Sequence, residues 1–192
     1  MAIEYGGLPF KEAVDYLQGK VNLPTKSWTE IWQGEHTKAF TVAGATKDEL
    51  LTDLHQSINT AIKDGMTLDQ FRKEFDTIVA RHNWPYKGGR NWRTRIIYET
   101  NMRTAYQAGR YQQQQAVKAR RPYWQYDHSD FVTHPRPEHE AWDGLVLSAD
   151  DPWWDTHYPP NDWGCHCSVR ALSQRDLKRL GKEGPDIAPL RN

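Results

Sequence analysis

Two cysteines, Cys165 and Cys167, stand one residue apart near the end of a 192-residue chain, and the chain has no others. Two thiolates at that spacing can share one Zn²⁺, and His139, His134, His157 or His166 could complete a tetrahedron. A disulfide between them would close a small, strained ring, and two cysteines cannot make a disulfide framework. That usage fits a protein made and kept in a reducing cytoplasm. The same residues also allow nucleophilic chemistry. A cysteine beside a histidine can form a thiolate–imidazolium pair, and His139 with Asp143, four residues apart, could act as an oriented base. That alternative would make the protein a nuclease- or transferase-like enzyme.

The surroundings of these residues are aromatic. The segment from Arg136 to Gly144 is followed by Asp151-Pro152-Trp153-Trp154 and by Pro159-Pro160 through Cys167. Five of the nine tryptophans lie between Trp124 and Trp163. Indoles bury a large area each, so a few of them can build a small core where aliphatic residues are scarce.

A third chemistry is phosphate contact. The chain carries 25 Lys+Arg and 25 Asp+Glu, a formal charge of zero, but the charges are sorted. From Tyr86 to Arg121 nine cations face Glu99 alone; from Asp127 to Asp162 nine anions face Arg136 alone. Within the basic run Arg93, Arg95, Arg103 and Arg110, with Trp92 and Tyr98 interleaved, could bind duplex DNA without sequence preference. Alternatively the two runs dock on each other, or each is a solvated face. No phosphate-binding glycine loop or dinucleotide fingerprint is present. No apolar run approaches the ~18 residues of a membrane span, and the N-terminus does not read as a secretory signal.

The elements that must position these groups fall into two textures, and the expected fold class is α+β. Residues 1–120 read as a helical docking region, and residues 121–192 as a tryptophan-rich, loop-rich module. Phe10, Ala13, Val14 and Leu17 after Pro9 predict a helix that Gly19 stops. Ser27 with Glu30 forms a candidate capping box ahead of Trp28, Ile31 and Trp32. Thr46, with Glu49, is expected to cap a helix carrying Leu50, Leu51, Leu54, Ile58 and Ile62 up to Asp64-Gly65. Thr67 with Gln70 repeats the signature before Phe71, Phe75, Ile78 and Val79. After a Pro/Gly loop, one long helix is expected from about Asn91 to Ala119, with Tyr98, Met102, Ala105 and Gly109 on one stripe. Beyond Pro122, short strands are expected at Tyr123–Tyr126, Leu145–Leu147 and Cys167–Leu172, and Ser173 should cap a last short helix through Leu180. No repeat is present.

These motifs together resemble the phage Mu F-like minor head protein family over nearly the whole chain. The resemblance is carried by Pro9-Phe10-Lys11-Glu12-Ala13, Leu23-Pro24-Thr25 and Phe40-Thr41-Val42-Ala43-Gly44. It continues in Tyr98-Glu99-Thr100-Asn101, Ala108-Gly109-Arg110-Tyr111, the Arg-Pro-Glu-His segment, Asp151-Pro152-Trp153-Trp154 and Pro159-Pro160 to Cys167. It implies a low-copy component of the virion head, present in the host cytoplasm during assembly. Its implied partners are the portal and capsid proteins, with DNA as a further partner in packaging, retention or delivery. Some family domains are fused to toxin or nuclease modules; the sequence here runs about twenty residues past Val169, too few for one. His166 stands where many relatives carry Arg. Arg136 and His139 stand where another branch has Cys-x-x-Cys, which leaves Cys165, Cys167 and His139 as the implied zinc core, with His134, His157 or water as fourth ligand.

Overall fold

A computed structural model of the chain describes residues 10–27 and 38–189. The chain divides into two compact units, Met1–Gly109 and Arg110–Asn192. The class is α+β, as the sequence implies: helices fill the first unit and a small sheet organises the second.

The first unit is built on α1 (Lys11–Gln18), α2 (Asp48–Asp64), α3 (Leu68–His82) and the N-terminal part of α4 (Arg90–Ala116). Their apolar stripes meet as the periodicity requires. Leu17 of α1, Leu50, Leu51, Leu54 and Ile58 of α2, and Phe71 and Phe75 of α3 are all essentially inaccessible to water, and Ile97 and Ala105 of α4 close the cluster. The Thr67/Gln70 capping box forms in full. The cap expected at Thr46 does not. Lys47 is the N-cap of α2 and makes no side-chain cap bond, and Asp48 and Glu49 instead offer negative charge to the orphaned N–H groups of the first turn. Of the capping box expected at Ser27 and Glu30, Glu30 lies outside the described residues, as do Trp28, Ile31, Trp32 and Pro9.

A two-residue parallel pair, β1 (Val21–Asn22) with β2 (Ala39–Phe40), was not foreseen. Such short strands show no period to read. His55 of α2 ties this pair to the helices. Its Nε2 lies 2.8 Å from the Leu17 carbonyl, its Nδ1 2.9 Å from Asn22 Oδ1, and its ring stacks on Phe40 with centroids 4.3 Å apart. Burial pushes the His55 pKa below its ordinary value. Lys20, only 8% exposed, sits in the same region with its Nζ 5.1 Å from the centre of the Tyr16 ring.

In the second unit three strands form an antiparallel sheet in the order β4 (Val146–Ser148), β3 (Tyr123–Asp127), β5 (Ser168–Leu172). All three coincide within a residue or two with the expected strands. Trp124 and Tyr126 of β3 are fully buried among Leu147, Trp153, Trp154, Cys165, Cys167 and Val169, so indoles do supply the core here. The last helix, α7 (Gln174–Arg179), carries a complete capping box between Ser173 and Asp176 and buries Leu177. Two helices were not foreseen: α5 (Pro137–Ala141) and α6 (Trp154–His157) are five and four residues long, too short for a hydrophobic period.

The edges of this sheet are occupied by polar groups. On β5 the Val169 carbonyl accepts from Gln114 Nε2 at 2.6 Å and the Ala171 carbonyl from Arg121 Nη1 at 2.9 Å. On β4 the Val146 N–H donates to Asp186 Oδ2 at 2.9 Å while its carbonyl accepts from the Asp186 N–H at 2.7 Å. The Ser148 carbonyl accepts from the Asp151 N–H and from Trp154 Nε1, both at 3.0 Å.

Candidate metal centre

Three chain segments converge on one point of the second unit. The first is the turn before β5. Asp162 and Gly164 both take positive φ, 69° and 72°, reversing the chain so that Cys165 enters the core. From there the backbone alternates: Cys165 and Cys167 are buried and His166 between them is exposed, the period-two pattern of extended chain. A Cys-x-Cys spacing is therefore what puts two sulfurs on one face. The second segment is α5, which Pro137 opens at a position where no N–H is needed. It delivers His139, 6% exposed, with Nδ1 at 3.9 Å from Cys165 Sγ and 3.7 Å from Cys167 Sγ. The ligating atoms of His139, Cys165 and Cys167 all lie within 4.8 Å of one another. Arg136, directly before α5, fastens the helix to the turn by donating to the Trp163 carbonyl at 2.8 Å and reaching Asp162 at 3.4 Å.

The third segment is the end of β3, which sequence reasoning passed over. Asp127 pairs with Ser168 in the β3–β5 ladder, so the next residue, His128, stands across from Cys167. Its Nδ1 is 3.6 Å from Cys167 Sγ. Its backbone N–H donates to Asp143 Oδ1 at 2.8 Å. The signal for His128 lay in the strand register, and register is a property of the paired strands that no single segment displays.

The expected helpers are elsewhere. His157 stacks on Trp153, centroids 4.2 Å apart, with Nδ1 2.9 Å from the Trp153 carbonyl. His134 is exposed. Neither joins the cluster that His139 forms with the two cysteines. Asp143 is engaged with the His128 backbone and lies beyond the end of α5, so the oriented base His139–Asp143 is not assembled. His139 instead presents a ring face to Trp142, 5.3 Å between centroids, and Tyr126 and Trp153 pack behind. Trp163 is 46% exposed.

The Cys165 thiol, next to Cys167 and buried, is pushed well above its ordinary range. The Cys167 thiol is pushed down, first by Cys165 and then, against the opposing cost of burial, by the Tyr126 hydroxyl and His128. The pair thus favours one thiolate, on Cys167, within reach of two imidazoles.

The arginines expected to meet phosphate are dispersed. Arg93 belongs to the core of the first unit: it is 9% exposed, donates through Nη2 to the Ala43 carbonyl and lies over Trp84 at 5.3 Å. A phosphate cannot reach it there, so Arg93 leaves the set. Arg95 is exposed, Arg103 lies 3.9 Å from Glu99, and Arg110 lines a groove with Arg121, Arg170 and Arg179. Of the other cations in the basic run, Arg90 pairs with Asp76 and Lys118 with Asp150. Among the described residues no helix is long and apolar enough to cross a membrane.

Comparison with known proteins gives this geometry its context. The chain is 38% identical over 188 residues to protein F of Escherichia phage Mu, which is named for capsid assembly; the match covers 91% of this chain and 43% of that protein. It is 37% identical over 167 residues to the F protein of the Mu-like prophage FluMu of Haemophilus influenzae, covering 82% of this chain and 40% of the relative. The chain thus spans less than half the length of the curated relatives it matches. No solved structure matches it. The family described as Phage Mu protein F like protein matches residues 52–170, a span that holds His128, His139, Cys165 and Cys167. Matched over more than half its length, the chain belongs to the Phage Mu protein F-like family.

Proposed function

We propose that this chain acts in the assembly of a phage or prophage head, as a minor component of the virion that binds the portal or capsid protein. The observation that carries the reading is the 38% identity to a phage Mu protein named for capsid assembly, sustained across 91% of this chain. The closed packing around His139 supports it. A histidine wrapped by Trp142, Tyr126 and two cysteines serves to hold a module rigid, and a rigid module suits a protein whose work is to present surfaces. In this reading the protein is met in the host cytoplasm during assembly and in the head afterwards.

The test is co-expression with the portal and major capsid proteins of the same phage, followed by gradient sedimentation of the particles. Co-sedimentation at a few copies per particle, lost when the portal is omitted, is the expected result. A protein that stays at the top of the gradient with both partners present overturns the reading. Contact with packaged DNA is part of the same proposal and rests on the exposed Arg95 together with Arg103 and Arg110. Duplex affinity should fall steeply between 50 mM and 200 mM salt, and reversing those three residues to Glu should flatten that slope. Absence of binding at 50 mM salt removes DNA from the proposal.

A further inference from the structure

We propose that His128, His139, Cys165 and Cys167 hold one structural Zn²⁺ in a closed tetrahedral site, with His128 as the fourth ligand. Two ligand atoms on a tetrahedral zinc, one sulfur at about 2.3 Å and one nitrogen at about 2.0–2.1 Å, are about 3.6 Å apart. His128 stands outside the group whose ligand atoms all lie within 4.8 Å of one another, so its ring must swing towards Cys165 and His139 to close the tetrahedron. Of the four sulfur–nitrogen edges such a site needs, the three already formed are 3.6, 3.7 and 3.9 Å. Each falls within a few tenths of an ångström of that edge length, although the ligands come from three separate segments.

Charge balance points the same way. Cys165 and Cys167 are 4% and 2% exposed, and an isolated thiolate so placed would be costly. A divalent cation shared by two thiolates and two neutral imidazoles leaves the site neutral overall. Two sulfurs and two nitrogens in tetrahedral array suit zinc above the harder divalent cations. The surrounding contacts are those that orient ligands: Asp143 grips the backbone of His128, the Tyr126 hydroxyl lies at Cys167, and Trp142 stacks on the His139 ring. Pairing of β3 with β5 sets His128 against Cys167, α5 brings His139, and the Asp162–Gly164 turn brings Cys165. The ion would therefore cross-link the sheet, the short helix and the turn of a module of about eighty residues, the size range in which a metal commonly supplements a small core.

The experiment uses the purified full chain, without phage partners, so its outcome is independent of the head-assembly proposal. Protein made without added metal should carry close to one zinc per chain. Its X-ray absorption fine structure should fit two sulfurs at about 2.3 Å and two nitrogens at about 2.0–2.1 Å. In competition with a chelator, H128N should lower zinc affinity by about 100-fold or more, above the range for loss of a merely orienting contact, and H134N should leave it unchanged. Because H128N could misfold, cobalt is loaded into the unmodified chain. Intense four-coordinate absorption with sulfur-to-cobalt charge transfer supports the site. Zinc below about a tenth of an equivalent even after incubation with the metal, or a scattering shell with fewer than two sulfurs, overturns the site altogether. An H128N chain that binds as tightly as the unmodified one, with three protein ligands in the absorption fit, overturns the assignment of His128.

Discussion

Lys20 offers a measurement of how strongly the first unit resists a buried charge. It is 8% exposed, and burial pulls its pKa from 10.5 down to about 8. Below pH 8 the native and unfolded chains both carry the proton, so stability does not change through this group. Between about pH 8 and 10.5 the unfolded chain holds a proton that the native chain has released, and stability must rise with pH by up to about 1.4 kcal/mol per unit. Neighbours set the window. Tyr16, whose ring lies against Lys20, is pushed up to about 12 by burial, so above pH 10 its ionisation in the unfolded chain lowers stability again. His55, pushed down by burial, would cost stability in acid. The clean interval is therefore pH 7 to 10, and over it Lys20 should add about 2–3 kcal/mol. The assay is urea unfolding followed by far-ultraviolet circular dichroism, for the unmodified chain and for K20M, at half-unit steps of pH. K20M removes the charge and keeps the unbranched stem, so groups common to both chains cancel in the difference. The variant should be the more stable at pH 7, and its advantage should shrink steadily towards pH 10. A difference that stays constant to within about 0.5 kcal/mol, or that grows with pH, refutes the reasoning.

Further outcomes follow from the caps, the helix contacts and the arginines. T67A should cost about 1 kcal/mol of unfolding free energy by the same urea assay, whereas T46A should be neutral, because Thr67 caps α3 and Thr46 does not cap α2. G109A should destabilise despite the better helix propensity of alanine: the added Cβ would lie 2.8 Å from the backbone nitrogen of Ala13, and relieving that costs about 1–3 kcal/mol; an unchanged urea midpoint would contradict the close approach. R93A should lower the thermal midpoint by several degrees and leave duplex affinity unchanged in fluorescence anisotropy, while R95A should leave the midpoint where it is.

The helices and strands of this chain were readable to the degree that each element was long enough to repeat a pattern. The stripes of α2 and α3 and the boxes at Thr67 and Ser173 involve neighbours three and four residues apart, so the sequence displays them directly. Thr46 shows the weakness of that logic: its side chain has the right chemistry, but the chain enters α2 one residue later, at Lys47. Arg93 was misplaced because a cation in a basic run was read by its charge. Its spacing of four from Ile97 sets it on the inward face of α4, and the Trp84 ring and the Ala43 carbonyl make burial tolerable. At the candidate metal centre the cysteines were legible from spacing and residue type, while four histidines stood open to join them and only the family resemblance singled out His139. His128 was not among them, since its closeness to Cys167 exists only once β3 and β5 have paired.

The polar groups along the edges of the β4-β3-β5 sheet limit how this molecule can associate with others. A sheet ordinarily grows by taking a further strand onto a bare edge. Here the outward carbonyls of Val169 and Ala171 are held by Gln114 and Arg121, Val146 is engaged on both its N–H and its carbonyl by Asp186, and Ser148 is taken by Asp151 and Trp154. An incoming strand would have to displace side chains and turns that already satisfy those groups. Copies crowded together at high local concentration therefore gain little by joining their sheets. Association is left to side-chain surfaces, whose shape and charge can distinguish one partner from another.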